Sequence, residues 1–161
     1  MFVAVFACLA LGVLGATVDY DVRSSCPIGW LDATYVDMGC VIFSNSTYMT
    51  WLEANVYCQR YENGQLLEIH DELQLDFLLM ETNNFADYDE YRVWWIGGTD
   101  IDHEGKWTWE SSGLPIKDFI WSSKQPDGGT DQNCLDLEYT NYLAHDTRCN
   151  NLYYPICQFL I

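Results

Sequence analysis

The triplet Gln125-Pro126-Asp127 places an amide, a rigid proline and a carboxylate side by side, and Asp146 supplies a second carboxylate. Cys134 and Cys149 enclose the segment that carries Asp146. Oxygen ligands on a stiff loop can coordinate a hard cation such as calcium, and the same oxygens can bind a pair of sugar hydroxyls. The pattern therefore predicts a loop site for a cation, a sugar or both. A plain turn is the alternative, because Pro-Asp-Gly is a strong turn signal by itself.

The beginning of the chain is typical of an exported protein. An apolar run covers residues 2–14, and two small residues follow it. The run is shorter than the ~20 residues that a membrane-spanning helix needs. We predict a signal peptide over residues 1–16, a short tail over 17–25 and a single domain over 26–161. A retained membrane anchor is the alternative, but we expect a secreted, extracellular protein with no membrane insertion.

The composition is strongly acidic. The 161 residues include 24 acidic and 7 basic side chains, for a net charge of -17. Such a surface repels the phosphates of nucleic acids, so we expect no nucleic-acid partner. It attracts divalent cations diffusely, and it suits a basic protein partner.

The cysteine count predicts a disulfide framework. Cys8 lies in the predicted signal peptide, and an even number remains in an exported chain, so three disulfides are expected. A zinc site is the competing interpretation, but no C-x2-C pair is present. Six cysteines allow 15 pairings, and spacing alone does not select one. The six are Cys26, Cys40, Cys58, Cys134, Cys149 and Cys157.

Two helices are predicted in the first half of the chain. Thr50 and Glu53 form a capping box, and the helix that follows runs to about Arg60. A second helix begins near Asp71. Periodicity predicts that both helices bury an apolar face. The residues expected to face the core are Trp51, Leu52, Val56, Cys58, Leu73, Phe77, Leu78 and Met80.

Short strands dominate the rest of the chain, which predicts an α+β fold. The stretch 110–133 is rich in Ser, Gly, Pro and Asp, and a loop of this length is usually functional or disordered. Asn45 begins the only N-glycosylation acceptor sequence. The predicted strands cover residues 40–43, 65–69, 93–98, 106–109, 135–139 and 153–159.

Taken together, these pieces resemble the C-type lectin-like domain family. The resemblance implies an α+β fold with two helices, small antiparallel sheets and a long loop region. It also implies a cis Pro126 and the disulfides Cys26–Cys40, Cys58–Cys157 and Cys134–Cys149. The matching segments are Cys26-Pro27-Ile28-Gly29-Trp30, Thr50-Trp51-Leu52-Glu53-Ala54, Trp95-Ile96-Gly97-Gly98, Trp107-Thr108-Trp109, Gln125-Pro126-Asp127, Asn133-Cys134 and the Cys149 to Cys157 pair.

The resemblance also implies a principal calcium site. Gln132 stands where a Glu is expected and His145 where an Asn is expected. The implied ligand set therefore has two carboxylates, whereas the family's set has three. Calcium affinity follows ligand charge, and imidazole is a poor calcium ligand, so a weak site is expected. Asp131 is a candidate substitute for the missing Glu. The five implied ligands are Gln125, Asp127, Gln132, His145 and Asp146.

A second calcium site of the family has partial counterparts here. Asp100 and Glu104 have the right spacing, but Gly128 and Asn133 replace ligand-bearing residues. We expect these two acids to be solvated.

The expected function is binding rather than catalysis. The first hypothesis is a secreted lectin of innate immune recognition that binds carbohydrate with the help of calcium. The family resemblance associates the Gln-then-Asp order with galactose-type sugars, which Gln125, Asp127, His145 and Asp146 would hold. The alternative is a calcium-independent protein-binding module that has lost sugar binding. An enzyme is not expected, because no Ser/His/Asp order, H-E-x-x-H or phosphate loop occurs.

Overall fold

The computed structural model of the chain describes residues 26–45, 47–82, 92–138 and 142–161. The predicted signal peptide and tail lie outside these residues. Two helices and eight short strands follow one another in an α+β arrangement, which confirms the predicted fold class. Their bounds are β1 Leu31–Ala33, β2 Gly39–Phe43, α1 Trp51–Cys58, β3 Gly64–Leu66, α2 Glu72–Thr82, β4 Val93–Thr99, β5 Thr108–Trp109, β6 Cys134–Glu138, β7 Ala144–Thr147 and β8 Tyr154–Phe159.

The strands form one connected sheet in the order β1-β2-β8-β4-β6-β7, with β3 paired to β8 and β5 to β4. All pairs are antiparallel except β4 and β8, which run parallel and join the two smaller antiparallel units. Neighbouring residues of β4 face opposite sides of the sheet, because side chains alternate along a strand. Trp94 therefore lies in one buried cluster and Trp95 in the other.

Helix α1 begins as the sequence predicts. The Thr50 side chain accepts a hydrogen bond from the Glu53 backbone, and the Glu53 carboxylate accepts one from the Thr50 backbone. Trp51, the first residue of the helix, donates from its indole nitrogen to the Ile96 carbonyl at 2.9 Å. The capping box therefore fixes the start of the helix, and the indole ties that start to β4.

The predicted apolar faces of the helices are only partly correct. Leu52 and Val56 of α1 are exposed, as are Leu73 and Met80 of α2. Each helix turns only part of its surface towards the core, and these four residues lie on the remaining part. The side chains that these helices bury are Trp51, Ala54, Asn55, Cys58, Gln74, Leu75, Phe77 and Leu78.

Three disulfides join the pairs that the family resemblance implies. They are Cys26–Cys40, Cys58–Cys157 and Cys134–Cys149. The second bond connects the end of α1 to β8 across 99 residues, and the third connects β6 to the residues after β7. Among the described residues, no helix has the length and apolarity needed to cross a bilayer.

The stretch between β5 and β6 packs against the core and pairs with β7. A 3-10 helix covers Asp118–Ile120, and Ile120 is fully buried. Trp121 then forms an isolated parallel bridge with Ala144 of β7. This bridge brings the residues that follow, which include the Gln-Pro-Asp triplet, to the edge of the sheet at β7.

Candidate functional site

The candidate site is a loop of residues 122–128, here called the Pro126 loop, that lies against β7. The Ser122 backbone donates to the Ala144 carbonyl at 3.0 Å, which fixes the start of the loop. The Gln125–Pro126 peptide bond is cis. Asp127 is exposed, whereas Asp146 on β7 is only 4% exposed.

Mutual hydrogen bonds join the Pro126 loop to β7. The side-chain oxygen of Gln125 accepts from the Asp146 backbone N–H at 3.2 Å. The Asp146 carboxylate accepts from the Asp127 backbone N–H at 3.0 and 3.1 Å and from the Gly128 N–H at 2.8 Å. Hydrogen bonds to an ionised acceptor are about twice as strong as neutral ones. The structure therefore brings three predicted site residues together, and Asp146 sets the conformation of the loop.

Gln132 is brought close to this group as well. Its side chain packs against Gly128, where a Cβ atom would collide with it. The Gln132 side-chain oxygen is buried and has no hydrogen-bond partner among the described residues. A buried oxygen without a hydrogen bond lowers the stability of the folded protein unless a donor or a cation contacts it. Asp131, the proposed substitute, is exposed at the end of a 3-10 helix over Gly129–Asp131.

His145 has a different environment from the one that the sequence predicts. It lies opposite Asp136 in the β6–β7 ladder, whereas Asp146 lies opposite Leu135. Residues that follow one another along a strand point to opposite faces, so the imidazole points away from the Asp146 carboxylate. The Nδ1 atom of His145 is instead 3.6 Å from a carboxylate oxygen of Glu138. The structure thus does not bring the imidazole to Gln125 and Asp127.

Asp136 is a buried acid that sequence reasoning did not single out. It is 5% exposed, and one of its carboxylate oxygens has no hydrogen-bond partner in the described part of the chain. Burial, together with the smaller effect of the neighbouring carboxylates Glu138 and Asp146, raises the pKa of Asp136 to about 8. The only available signal was its place in the alternating segment Leu135-Asp136-Leu137, which is ambiguous between a buried and an exposed acid.

We expect this carboxyl group to make the domain less stable as the pH rises. The native state holds its proton up to about pH 8, whereas the unfolded chain releases it near 3.8, so the native state binds more protons between these values. The free energy of unfolding should then fall by up to about 1.4 kcal/mol per pH unit in this window. Asp136→Asn removes the titration and should be more stable than the parent at pH 8. Thermal melts from pH 4 to pH 8 test this.

The matched control for this prediction is Asp76→Asn, which removes an exposed acid of α2. It should leave the pH dependence unchanged. If Asp136→Asn and the parent chain lose stability in parallel across the same pH range, the prediction is wrong.

The side chains at the Pro126 loop present oxygen atoms, the ligand type that calcium takes. Within the described residues, no three His, Cys, Asp or Glu side chains are grouped so that they could hold a metal. A site here would therefore depend on amide oxygens together with two carboxylates. Gln132 supplies a buried oxygen that lacks a hydrogen bond, which suits a cation. A site with only two charged ligands binds calcium weakly rather than tightly.

Asp100, from the second predicted site, is used to shape its own loop. It is buried, and its carboxylate accepts from the Gly105 N–H at 2.8 Å. Its backbone N–H donates to the Asn133 carbonyl at 3.3 Å. Glu104 is exposed. The expectation that both acids are solvated is thus wrong for Asp100, because its carboxylate is buried and accepts a hydrogen bond from the backbone of its own loop.

Sequence reasoning also missed a cavity that shares a wall with the Pro126 loop. The cavity measures about 530 Å³, and Trp107, Trp121 and Pro126 are among its lining residues. The signal was the pair of tryptophans on either side of a proline-containing turn. Their meeting depends on how residues 110–120 fold back, which the sequence pattern does not specify.

Comparison with known proteins agrees with this architecture. The family model described as Lectin C-type domain matches residues 47–159. The chain is 31% identical over 148 residues to the galactose-specific lectin nattectin of Thalassophryne nattereri, covering 91% of this chain and 87% of that protein. It is 30% identical over 143 residues to C-type lectin domain family 17, member A, of Homo sapiens, covering 84% of this chain and 32% of the relative.

A solved structure with the same architecture is the carbohydrate-recognition domain of the human scavenger receptor C-type lectin. The TM-score is 0.70 at 24% identity, over 85% of this chain and all of that domain. At this identity, the similarity shows the fold alone.

Proposed function

The chain belongs to the C-type lectin domain family, and on that premise we propose that it binds carbohydrate through the Pro126 loop and β7. The observation that carries the proposal is the set of hydrogen bonds between Asp146 and the loop. These bonds preorganise the loop, so that little conformational freedom is lost when a ligand binds. Asp127, whose backbone these bonds hold, is exposed, and Gln125 is half-buried.

The chemistry of the two side chains suits a pair of neighbouring sugar hydroxyls. Each hydroxyl both donates and accepts a hydrogen bond. The Gln125 amide nitrogen supplies donors, and the Asp127 carboxylate supplies acceptors. We propose galactose-type sugars as ligands, which the Gln-then-Asp order and the similarity to a galactose-specific lectin both support.

We further propose that calcium assists the binding weakly. The residues that would hold it are Gln125, Asp127, Gln132 and Asp146. When bound, the ion would supply a positive centre for sugar hydroxyl oxygens. His145 is left out of the set, because its imidazole contacts Glu138.

Calorimetry on the oxidised domain tests this function. We expect methyl β-galactoside to bind more tightly than methyl α-mannoside in millimolar calcium, and chelation by EDTA to weaken the binding and lower the melting temperature. Asp127→Asn should reduce galactoside affinity by roughly ten- to a hundredfold, because charge-assisted hydrogen bonds contribute about 1.5–3 kcal/mol. Its melting temperature in EDTA should equal the parent's, because Asp127 is exposed.

Asp76→Asn, which removes an exposed acid of α2, is the control and should bind like the parent. If no galactoside binds at millimolar calcium, the sugar function is wrong. Binding that is indifferent to EDTA would leave the sugar function in place and remove calcium from it.

A second candidate function is a calcium-independent module that binds a basic protein. The net charge of -17 favours it, as does the orientation of His145 away from the loop. Binding of this kind is sensitive to salt, because electrostatic steering is screened at high ionic strength. A pull-down that salt abolishes and that galactose leaves unchanged would favour this function over the first.

The biological setting that we propose is secretion and recognition of glycans in innate immunity. Removal of residues 1–16 would release the domain. Asn45 is exposed, so a glycan attached there would project into solvent. Ser46 of the acceptor sequence lies outside the described residues.

A further inference from the structure

A cavity of about 530 Å³ lies beside the Pro126 loop. Pro126 belongs both to the loop and to the cavity wall, so the two sites are adjacent. Pockets of about 300–1,000 Å³ are the size that holds small organic ligands. The residues that matter for its chemistry are Lys106, Trp107, Ile116, Asp118, Trp121 and Pro126.

The walls of the cavity are aromatic and anchored. The rings of Trp107 and Trp121 meet edge to face, with their centroids 5.1 Å apart and an angle of 78°. Both tryptophans are only half-buried. The Trp107 carbonyl accepts from the Ile116 N–H at 3.0 Å, and Trp121 bridges to Ala144 of β7. The cavity therefore offers partly exposed indole surface that is held in place before any ligand binds.

The rim of the cavity is balanced in charge. Lys106 and Asp118 are both exposed and bring one positive and one negative group to it. In a chain with a net charge of -17, a lysine at this position keeps the rim close to neutral. A neutral rim with a donor, an acceptor and aromatic walls suits a neutral polyhydroxylated ring. The C–H faces of such a ring pack on indole, and its hydroxyls reach the charged groups.

We infer that this cavity is a second carbohydrate subsite, which takes the sugar ring linked to the galactose-type ring at the Pro126 loop. This inference rests on the proposed function. It predicts that the domain distinguishes disaccharides from monosaccharides, which the loop alone would not do. Pro126, which belongs to both the loop and the cavity wall, makes the two sites neighbours.

The test compares two probes, methyl β-galactoside and lactose, on the oxidised domain. We expect lactose to bind about tenfold more tightly, since a packed aromatic contact and one added hydrogen bond together contribute about 1.4 kcal/mol. Lactose, but not methyl β-galactoside, should also shift the indole N–H signals of Trp107 and Trp121 in nitrogen-15 NMR spectra.

Substitutions at the rim give the matched comparison. Lys106→Gln combined with Asp118→Asn keeps the aromatic walls and should reduce the advantage of lactose severalfold without changing the affinity for methyl β-galactoside. The control is Arg60→Gln combined with Asp76→Asn, which removes the same charges at exposed positions of other elements and should retain the advantage.

The outcomes separate the two hypotheses. Equal affinities for the two probes, or indole signals that lactose does not move, overturn the subsite and leave the loop site standing. An advantage of lactose that the rim variant fully retains also overturns the subsite. If neither probe binds, the proposed function fails, and the subsite fails with it.

Discussion

Replacing Asp146 with asparagine is expected to remove galactoside binding and to destabilise the domain. The carboxylate accepts from the backbone N–H groups of Asp127 and Gly128, and asparagine retains only one accepting oxygen. In either orientation its amide nitrogen would replace an oxygen that accepts from the Asp127 N–H, so two donors would meet at the buried side chain of residue 146. An unsatisfied buried polar group costs about 1–3 kcal/mol. We therefore expect a lower melting temperature together with at least a tenfold loss of affinity, measured by thermal melts and calorimetry.

Asp127→Asn separates two roles: the Asp127 carboxylate is expected to contact the ligand, whereas the Asp146 carboxylate on β7 holds the loop. Because Asp127 is exposed, its amide variant should lose binding and, with EDTA present, keep the parent's melting temperature. Only Asp146→Asn should lose both. An Asp146→Asn protein that melts and binds like the parent would show that these hydrogen bonds do not hold the loop.

The largest effect on stability is expected from removing the disulfide between Cys58 and Cys157. Both residues are fully buried, and their bond closes a segment of 99 residues. In the chain-entropy treatment, a loop of this length is worth about 4.7 kcal/mol. Small domains have only about 5–15 kcal/mol of total stability. The double variant Cys58→Ala, Cys157→Ala should therefore be largely unfolded near body temperature, as circular dichroism would report.

Removal of the disulfide between Cys26 and Cys40 is the matched comparison. These residues are separated by only 14 positions, which corresponds to about 3 kcal/mol. The short-loop variant should thus retain a cooperative melt at a reduced temperature. If the two double variants melt at the same temperature, loop length does not govern the contribution of these bonds.

Local signals in the sequence predicted much of the fold. The Thr50–Glu53 capping box lies entirely within four residues, so its hydrogen bonds depend on the local sequence and not on distant parts of the chain. Strand β7, by contrast, was not predicted. Its residues, Ala144–Thr147, show little apolar alternation and become a strand through pairing with β6. Strand formation depends strongly on neighbouring strands, so a short segment of this kind carries a weak signal.

The candidate site was predictable as a set of residues but not as a geometry. Gln125, Asp127 and Asp146 were identified from residue type and spacing, and they do meet. The orientation of His145 was not predictable, because it depends on the register of β7 against β6. A shift of one residue along a strand turns a side chain to the other face. The cavity beside Pro126 depends on the path of the intervening loop in the same way.

The order of strands in the sheet also determines how this domain would present a ligand if it were attached to something larger. Strands β1 and β2 lie at one edge with β8 beside them, and β7 forms the opposite edge. A linker joined near residue 26 or residue 161 would thus leave from the side of the sheet away from the Pro126 loop. Several copies displayed on one scaffold could engage a glycan-coated surface together, and weak individual contacts would then add up to firm adhesion.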